Sequence, residues 1–405
     1  MKLSARGVSP LAKTRGPTAR NIGRERFERF RLMPWWRQGL LERARVLVVG
    51  AGTLGNEVLK NLALLGFGNI LLVDRDIIEP SNLSRSVLFR EEDLGRPKAL
   101  VARERLRELY PPLRVRAIHG DITTDVGQGV FRWADIITSA VDNREARVWI
   151  NEACWRFEKP WIDGGIEALE GVVRFFLPPG GACYECTMSE ADWALLKQRK
   201  SCSLLSRKGS RQGNVPTTPT TASVIAGIMC QEAVKHLHGL VTLAGKGYVF
   251  NGLTYDSYVV NYMRKRGCYA HEVAARVKRI SKKSTEMSVA ELVRLARRDL
   301  GPGAVVEFNN ELASYLACKV CARKAEAFVA LEKLDEEGLR CPSCKAVMDF
   351  ESFHTANGEE PFARKSLSNI GVPPFDVLAG RLGMRKVYYE FTADGPRILG
   401  VRLRK

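Results

Sequence analysis

Residues 46–55 read Val46-Leu47-Val48-Val49-Gly50-Ala51-Gly52-Thr53-Leu54-Gly55, and a helical stretch from Asn56 to Leu65 follows. Four consecutive apolar residues, three of them β-branched, are the pattern of a parallel strand buried on both faces. Gly-x-Gly-x-x-Gly directly after it lets the backbone turn sharply and approach a phosphate. The helix that opens there offers free N–H groups and a partial positive charge. Gly66 and Gly68 stop the helix, and Ile70-Leu71-Leu72-Val73 makes a second strand. The order strand, glycine loop, helix, strand predicts a βαβ unit, hence an α/β fold with a Rossmann-like, mostly parallel sheet and flanking helices.

Further strands are expected at 115–119, 136–140, 161–163, 171–177 and within 248–264. Helices are expected over 24–45, 97–109 and 221–237, and the polar stretch 187–214 reads as a long loop. A chain of 405 residues exceeds one compact core. The expected division is a basic flexible tail over 1–23, a nucleotide-binding domain over 24–275 and a small C-terminal zinc-ribbon/β region over 284–405, with the basic stretch 276–283 as a linker. No apolar run approaches the ~20 residues that span a bilayer. The basic N-terminus lacks the apolar segment of a secretory signal. The net charge of +18 suits an acidic partner. The basic residues are spread along the chain without a block of like charge, which weighs against nucleic acid.

The glycine loop alone serves NAD or ATP. An acid at the end of the second strand, Asp74, holds a ribose in either case. The residues that follow distinguish the two: Asp74-x-Asp76, Asn82-Leu83-Ser84-Arg85, Gly95-Arg96-Pro97-Lys98 and Asp142-Asn143. Arginine, lysine and a further acid around a nucleotide suit attack on a phosphate, where charge builds on oxygens. Hydride transfer needs no such set.

These motifs carry a resemblance. Residues 46–239 are similar to the ubiquitin-activating, MoeB and ThiF family of adenylating enzymes. The match rests on Gly-x-Gly-x-x-Gly (Gly50, Gly52, Gly55), Asp-x-Asp, Asn-Leu-x-Arg, Gly-x-Pro-Lys, Asp-Asn-x-x-x-Arg ending at Arg147, and the Pro216-Thr217-Thr218 turn. The resemblance implies ATP and magnesium as cofactors and a ubiquitin-like or sulfur-carrier protein as substrate. Asp74 would then hold the ribose, and Asn82, Arg85 and Lys98 would contact the phosphates. Asp142 would bind magnesium and the reacting α-phosphate. Arg26-Phe27-Glu28-Arg29 resembles the family's Arg-Tyr-x-Arg segment, which makes Arg29 a candidate that reaches ATP from the other protomer of a homodimer. The other reading of Arg29 is one basic residue among several on a charged helix.

Some family members capture the acyl group on their own cysteine, for transfer to a conjugating enzyme, and others stop at the adenylate. Cys202, in Lys200-Ser201-Cys202-Ser203-Leu204, lies among Lys197, Arg199, Lys200, Arg207, Lys208 and Arg211. Neighbouring cations lower a thiol pKa and raise the thiolate fraction, so Cys202 is the candidate nucleophile. An incidental loop cysteine is the alternative. Cys154 and Cys230 sit in apolar helical stretches and read as buried small hydrophobes.

Six of the ten cysteines form Cys-x-x-Cys pairs, at 183/186, 318/321 and 341/344. That spacing favours zinc over disulfides, and a cytoplasmic location is expected. Cys318, Cys321, Cys341 and Cys344 match a zinc ribbon over about 315–348. Ala182-Cys183-Tyr184-Glu185-Cys186-Thr187 resembles the zinc segment of the eukaryotic activating enzymes. The family's Pro-x-Cys-Thr pattern and its large catalytic-cysteine insertion are absent. The resemblance places the completing pair after Tyr255-Asp256-Ser257, where Cys268-Tyr269-Ala270-His271 stands, and so implies a second zinc site of Cys183, Cys186, Cys268 and His271. For the C-terminal region, docking of a protein partner and binding of nucleic acid are both open.

Overall fold

A computed structural model describes residues 25–201 and 215–400. Strands β1 (Arg45–Val49), β2 (Asn69–Asp74), β3 (Arg114–His119), β4 (Ile136–Ser139), β5 (Trp161–Glu167), β6 (Glu170–Phe176), β7 (Lys246–Asn251) and β8 (Asp256–Asn261) form one sheet. Its order is β3-β2-β1-β4-β5-β6-β7-β8, parallel through β5 and antiparallel beyond it.

The apolar run that announced β1 is buried on both faces because the strand alternates. Val46 and Val48 join the core under helices α1 (Thr53–Leu64), α2 (Lys98–Leu109) and α5 (Pro219–Leu237). Leu47 and Val49 face the opposite core, with Ile150 and Ala153 of α3 (Arg144–Arg156). Cys154 and Cys230 are buried in these two cores. Among the described residues no helix is long and apolar enough to cross a membrane.

A second sheet contains β9 (Val277–Ile280), β10 (Val305–Ala317), β11 (Lys324–Ala330), β12 (Asp349–Ala356), β13 (Val377–Leu382) and β14 (Arg385–Phe391). Its order is β11-β10-β13-β14-β9, with β12 also paired to β10. Helix α6 (Val289–Leu300) packs on it through Leu292, Val293 and Ala296.

Three stretches differ from the sequence-based expectation. Residues 24–45 are not one helix: a 3-10 turn over Glu28–Leu32 and a helix over Gln38–Arg43 flank Pro34, whose ring and missing N–H interrupt helical bonding. The expected linker contains β9, which pairs in parallel with β14 from Tyr388↔Val277 to Phe391↔Ile280. The polar stretch after residue 187 holds helix α4 (Glu190–Ser201). Its start is a reciprocal cap, in which Ser189 N–H donates to the Asp192 carboxylate at 2.9 Å and Asp192 N–H to the Ser189 hydroxyl at 3.2 Å.

The second sheet does not stand apart from the first. Phe375, Val377, Tyr388 and Leu399 share an apolar core with Leu47, Leu71 and Phe131.

Candidate active site and metal centres

Strand order reverses between β1 and β4, and open α/β sheets bind ligands at the carboxyl ends of strands at such a point. A cavity of about 710 Å³ opens there. Its wall holds Gly50 and Gly52, Asp74 and Asp76 at the end of β2, then Asn82, Arg85 and Lys98, and Asp142 after β4.

The three loop glycines serve different ends. Gly50 has φ +99°, and a Cβ there would stand 2.5 Å from Ala140 O. A Cβ on Gly55 would meet Gly50 O at 2.1 Å, so this glycine lets α1 pack against the loop and is absent from the cavity wall. A Cβ on Gly52 would meet nothing within 4 Å, so its bare backbone, at the N-terminus of α1, leaves room for a ligand. Buried Asn56 fixes the loop, donating to Ala51 O at 2.6 Å while its Oδ1 accepts from Leu88 N–H at 2.9 Å.

The Asp74 carboxylate accepts from Ala51 N–H at 2.6 Å and Asp76 N–H at 2.8 Å. Burial raises its pKa above the usual carboxylate range, against the lowering effect of those donors. Lys98 Nζ lies 3.0 Å from an Asp76 oxygen. The Asn82 side chain accepts from Glu79 N–H at 3.0 Å and caps a short turn. Arg85 donates to the Thr217 hydroxyl at 2.9 Å, while its buried Nε has no hydrogen-bond partner among the described residues. Asn143 Nδ2 donates to Asp142 at 3.1 Å, and Asn143 Oδ1 caps α3.

Three features of the wall escaped sequence reasoning. Fully buried Asp163 accepts from Arg147 Nε at 3.0 Å and from an Arg174 nitrogen at 2.6 Å. This one carboxylate fixes both guanidiniums, and Arg147 and Arg174 both line the cavity. Arg144 lies 2.8 Å from Asp192, so α4 is tied to the wall. Asp121 lies 2.7 Å from Arg75, and both line the cavity. Asp-Asn-x-x-x-Arg flagged Arg147, but nothing in the sequence connects Asp163 to Arg174.

Arg29 is exposed on the turn Glu28–Leu32 and is not part of the cavity wall. Cys202 lies outside the described residues.

The Cys-rich motifs form two clusters. Cys183, Cys186, Cys268 and His271 place one ligand atom each within 4.8 Å of one another, as do Cys318, Cys321, Cys341 and Cys344. Sulfurs of Cys183 and Cys186 are 3.7 Å apart, and Cys186 Sγ is 3.4 Å from His271 Nε2. In the second cluster Cys318–Cys344 and Cys321–Cys341 sulfurs are 3.4 and 3.5 Å apart. Four ligands at ~2.3 Å around a tetrahedral ion stand about 3.8 Å apart, so both donor sets fit zinc. Trp155 stacks on His271 at 4.2 Å, and Lys265 N–H donates to Cys186 Sγ at 3.3 Å, a contact that suits a thiolate.

Residues 25–270 match the ThiF family. The chain is 34% identical over 238 residues to a sulfur carrier protein adenylyltransferase of Thermus thermophilus, covering 56% of this chain and 80% of that protein. It is 37% identical over 199 residues to the NEDD8-activating enzyme E1 catalytic subunit of Caenorhabditis elegans, covering 45% of this chain and 46% of that one. With SUMO-activating enzyme subunit 2 of Dictyostelium discoideum it shares 37% over 147 residues, 36% of this chain and 22% of the other. The chain thus spans less than half the length of the two activating-enzyme subunits. Among solved structures, Escherichia coli MccB with MccA-N7isoASN is similar in fold, with a TM-score of 0.51 and 24% identity over 61% of this chain and 74% of that one. With the family's glycine loop, its Asn-Leu-x-Arg and Gly-x-Pro-Lys residues meeting on one cavity, this chain belongs to the ThiF family.

Proposed function

We propose that the protein uses ATP to adenylate the C-terminal carboxylate of a ubiquitin-like or sulfur-carrier protein. The observation that carries this reading is the meeting of Arg85, Lys98 and Asp142 on one cavity with the glycine loop. A carboxylate oxygen attacks the α-phosphorus, the bond to the β-phosphate oxygen breaks, and acyl-adenylate and pyrophosphate result. Asp74 receives the ribose, Asn82 the phosphates. Arg85 brings a guanidinium whose buried Nε has no partner among the described residues, and Lys98 brings a second cation, so both stabilise the charge that builds on phosphate oxygens. Asp142 and Asp76 are hard oxygen donors of the kind magnesium takes, and that ion would neutralise phosphate charge. An NAD-dependent oxidoreductase would share the loop but has no use for the cations.

The adenylate is then attacked by the Cys202 thiolate, which forms a thioester and expels AMP, and the acyl group passes to a conjugating enzyme. The second reading stops at the adenylate; the 80% coverage of the sulfur carrier protein adenylyltransferase favours it. Two zinc ions would hold the two cysteine-rich clusters, and their reduced thiols suit the cytoplasm. Arg29, exposed and outside the wall of its own cavity, would act across a homodimer. A domain over 24–275 would carry adenylation, and 284–405 would receive a protein partner rather than nucleic acid.

Incubation with Mg-ATP and a candidate carrier, followed by a non-reducing gel, separates the two readings. A thiol-labile carrier adduct that is missing in Cys202→Ala supports the thioester. Pyrophosphate exchange without any adduct leaves adenylation alone.

A further inference from the structure

Part of the cavity wall belongs to the segment after β3. Gly120, Asp121 and Ile122 line the cavity. The rest of this segment is held by the C-terminal sheet. Lys333 pairs with the Asp125 carboxylate, whose other oxygen accepts from Asp121 N–H at 2.9 Å. Asn310 Nδ2 donates to Thr123 O at 2.8 Å. Gln128 N–H donates to buried Asp376 at 2.8 Å, and Gly129 N–H to Phe375 O at 2.9 Å. The contact at Gly127 is so close that a Cβ would stand 2.5 Å from Asp376 N and Pro374 O.

On the cavity side, Asp121 binds Arg75 through one oxygen at 2.7 Å. Its other oxygen accepts from the Thr123 amide and hydroxyl at 2.9 and 2.7 Å. Arg75 Nε lies 3.9 Å from Asp76, which holds Lys98. A continuous polar chain therefore runs Lys333, Asp125, Asp121, Arg75, Asp76, Lys98, from the surface of the C-terminal sheet to a phosphate-binding candidate. A chain of contacts becomes a functional claim only through measured coupling.

We propose that Lys333 and Asn310 are positioning residues for the nucleotide site, holding the 120–128 segment so that Asp121 fixes Arg75 in the cavity wall. The proposal rests on the ATP reading above and gives the C-terminal sheet a role in it. Lys333 and Asn310 lie outside the cavity wall, so they act on nucleotide affinity and leave the chemical step alone. A partner that pulls Lys333 away from Asp125 would weaken ATP binding.

The test is calorimetric titration of the full chain with Mg-ATP. Lys333→Ala combined with Asn310→Ala is expected to weaken binding about 5-fold, at the lower end of inter-site coupling. It is also expected to raise the KM for ATP with kcat unchanged. Lys333→Arg, which keeps the charge, restores wild-type affinity. Both partners of the Lys333–Asp125 pair are more than a third exposed and Asn310 is half-buried, and a melting curve verifies that the variants fold. In an Asp121→Ala background, which removes the acceptor for Arg75, the Lys333→Ala effect should vanish, because the link it acts through is already cut. Wild-type affinity in the Lys333→Ala/Asn310→Ala variant, or a full Lys333→Ala effect persisting beside Asp121→Ala, overturns the brace and leaves the ATP reading standing. Failure of the wild-type protein to bind Mg-ATP overturns both.

Discussion

Arg85 donates to the Thr217 hydroxyl at 2.9 Å across 132 residues of chain, tying the segment after β2 to the turn before α5. That contact orients a guanidinium whose buried Nε has no partner among the described residues. A preorganised cation of this kind contributes where charge develops and stays put during reaction. Arg85→Ala is expected to lower ATP–pyrophosphate exchange by on the order of 100-fold with an unchanged melting temperature. Thr217→Val removes only the orienting bond, and a loss of about 5-fold is expected, from ~1 kcal/mol for one hydrogen bond.

Gly52 and Gly55 should separate binding from folding. Gly55→Ala forces a Cβ to within 2.1 Å of Gly50 O, a backbone atom that cannot step aside. The variant should lose roughly 1–3 kcal/mol in a denaturant melt. Gly52→Ala meets no atom of the described residues within 4 Å, so its melt should match wild type while calorimetry shows weakened Mg-ATP binding.

Much of this was legible from local signals. The glycine loop, β1 and β2 lie within 30 residues, and their short β-branched apolar runs flanked by glycines are the pattern of buried parallel strands. The cation set Arg85 and Lys98 stood in motifs whose order was informative. Helix α4 was hidden because its cap, Ser189 with Asp192, preceded a charged sequence without an apolar stripe. Strand β9 is four residues long, two of them basic, and its partner β14 lies more than a hundred residues away, beyond any local pattern. The Asp121–Arg75 and Lys333–Asp125 pairs span 46 and 208 residues, and charges at the surface carry no signal of their partners.

Metal analysis of the purified protein should find about two zinc ions per chain, one for each tetrahedral donor set. Cys341→Ser should lose one ion and unfold the ribbon locally, since its core is a small cluster around Leu316, Leu334, Leu339 and Met348. Cys183→Ser should lose the other ion and lower the melting temperature of the whole chain, because Cys183 and Cys186 pack with Trp155 of α3. Full zinc content in either variant would contradict that ligand set.

Burial pushes the Asp376 carboxyl up to about 6, against hydrogen bonds from Gln128 N–H and Asn309. Its unfolded value is about 3.9, so between those two values the folded state holds a proton that the unfolded state has released. Raised in the folded state, this group makes the protein less stable as pH climbs from about 4 to 6, by up to about 3 kcal/mol, and has no further effect above that. Asp376→Asn cannot titrate, so wild type should lose stability relative to the variant across that window. Denaturant melts at pH 4, 5, 6 and 7 measure it, and a difference that is flat in pH would show that Asp376 ionises normally.

The most direct test of the whole account is ATP–pyrophosphate exchange with a small carrier protein ending in a free Gly-Gly carboxylate. Exchange should need the carrier, should stop when its C-terminus is amidated, and should collapse in Arg85→Ala and Lys98→Ala. Absence of exchange with every such carrier, together with tight binding of NAD in place of ATP, would contradict the account.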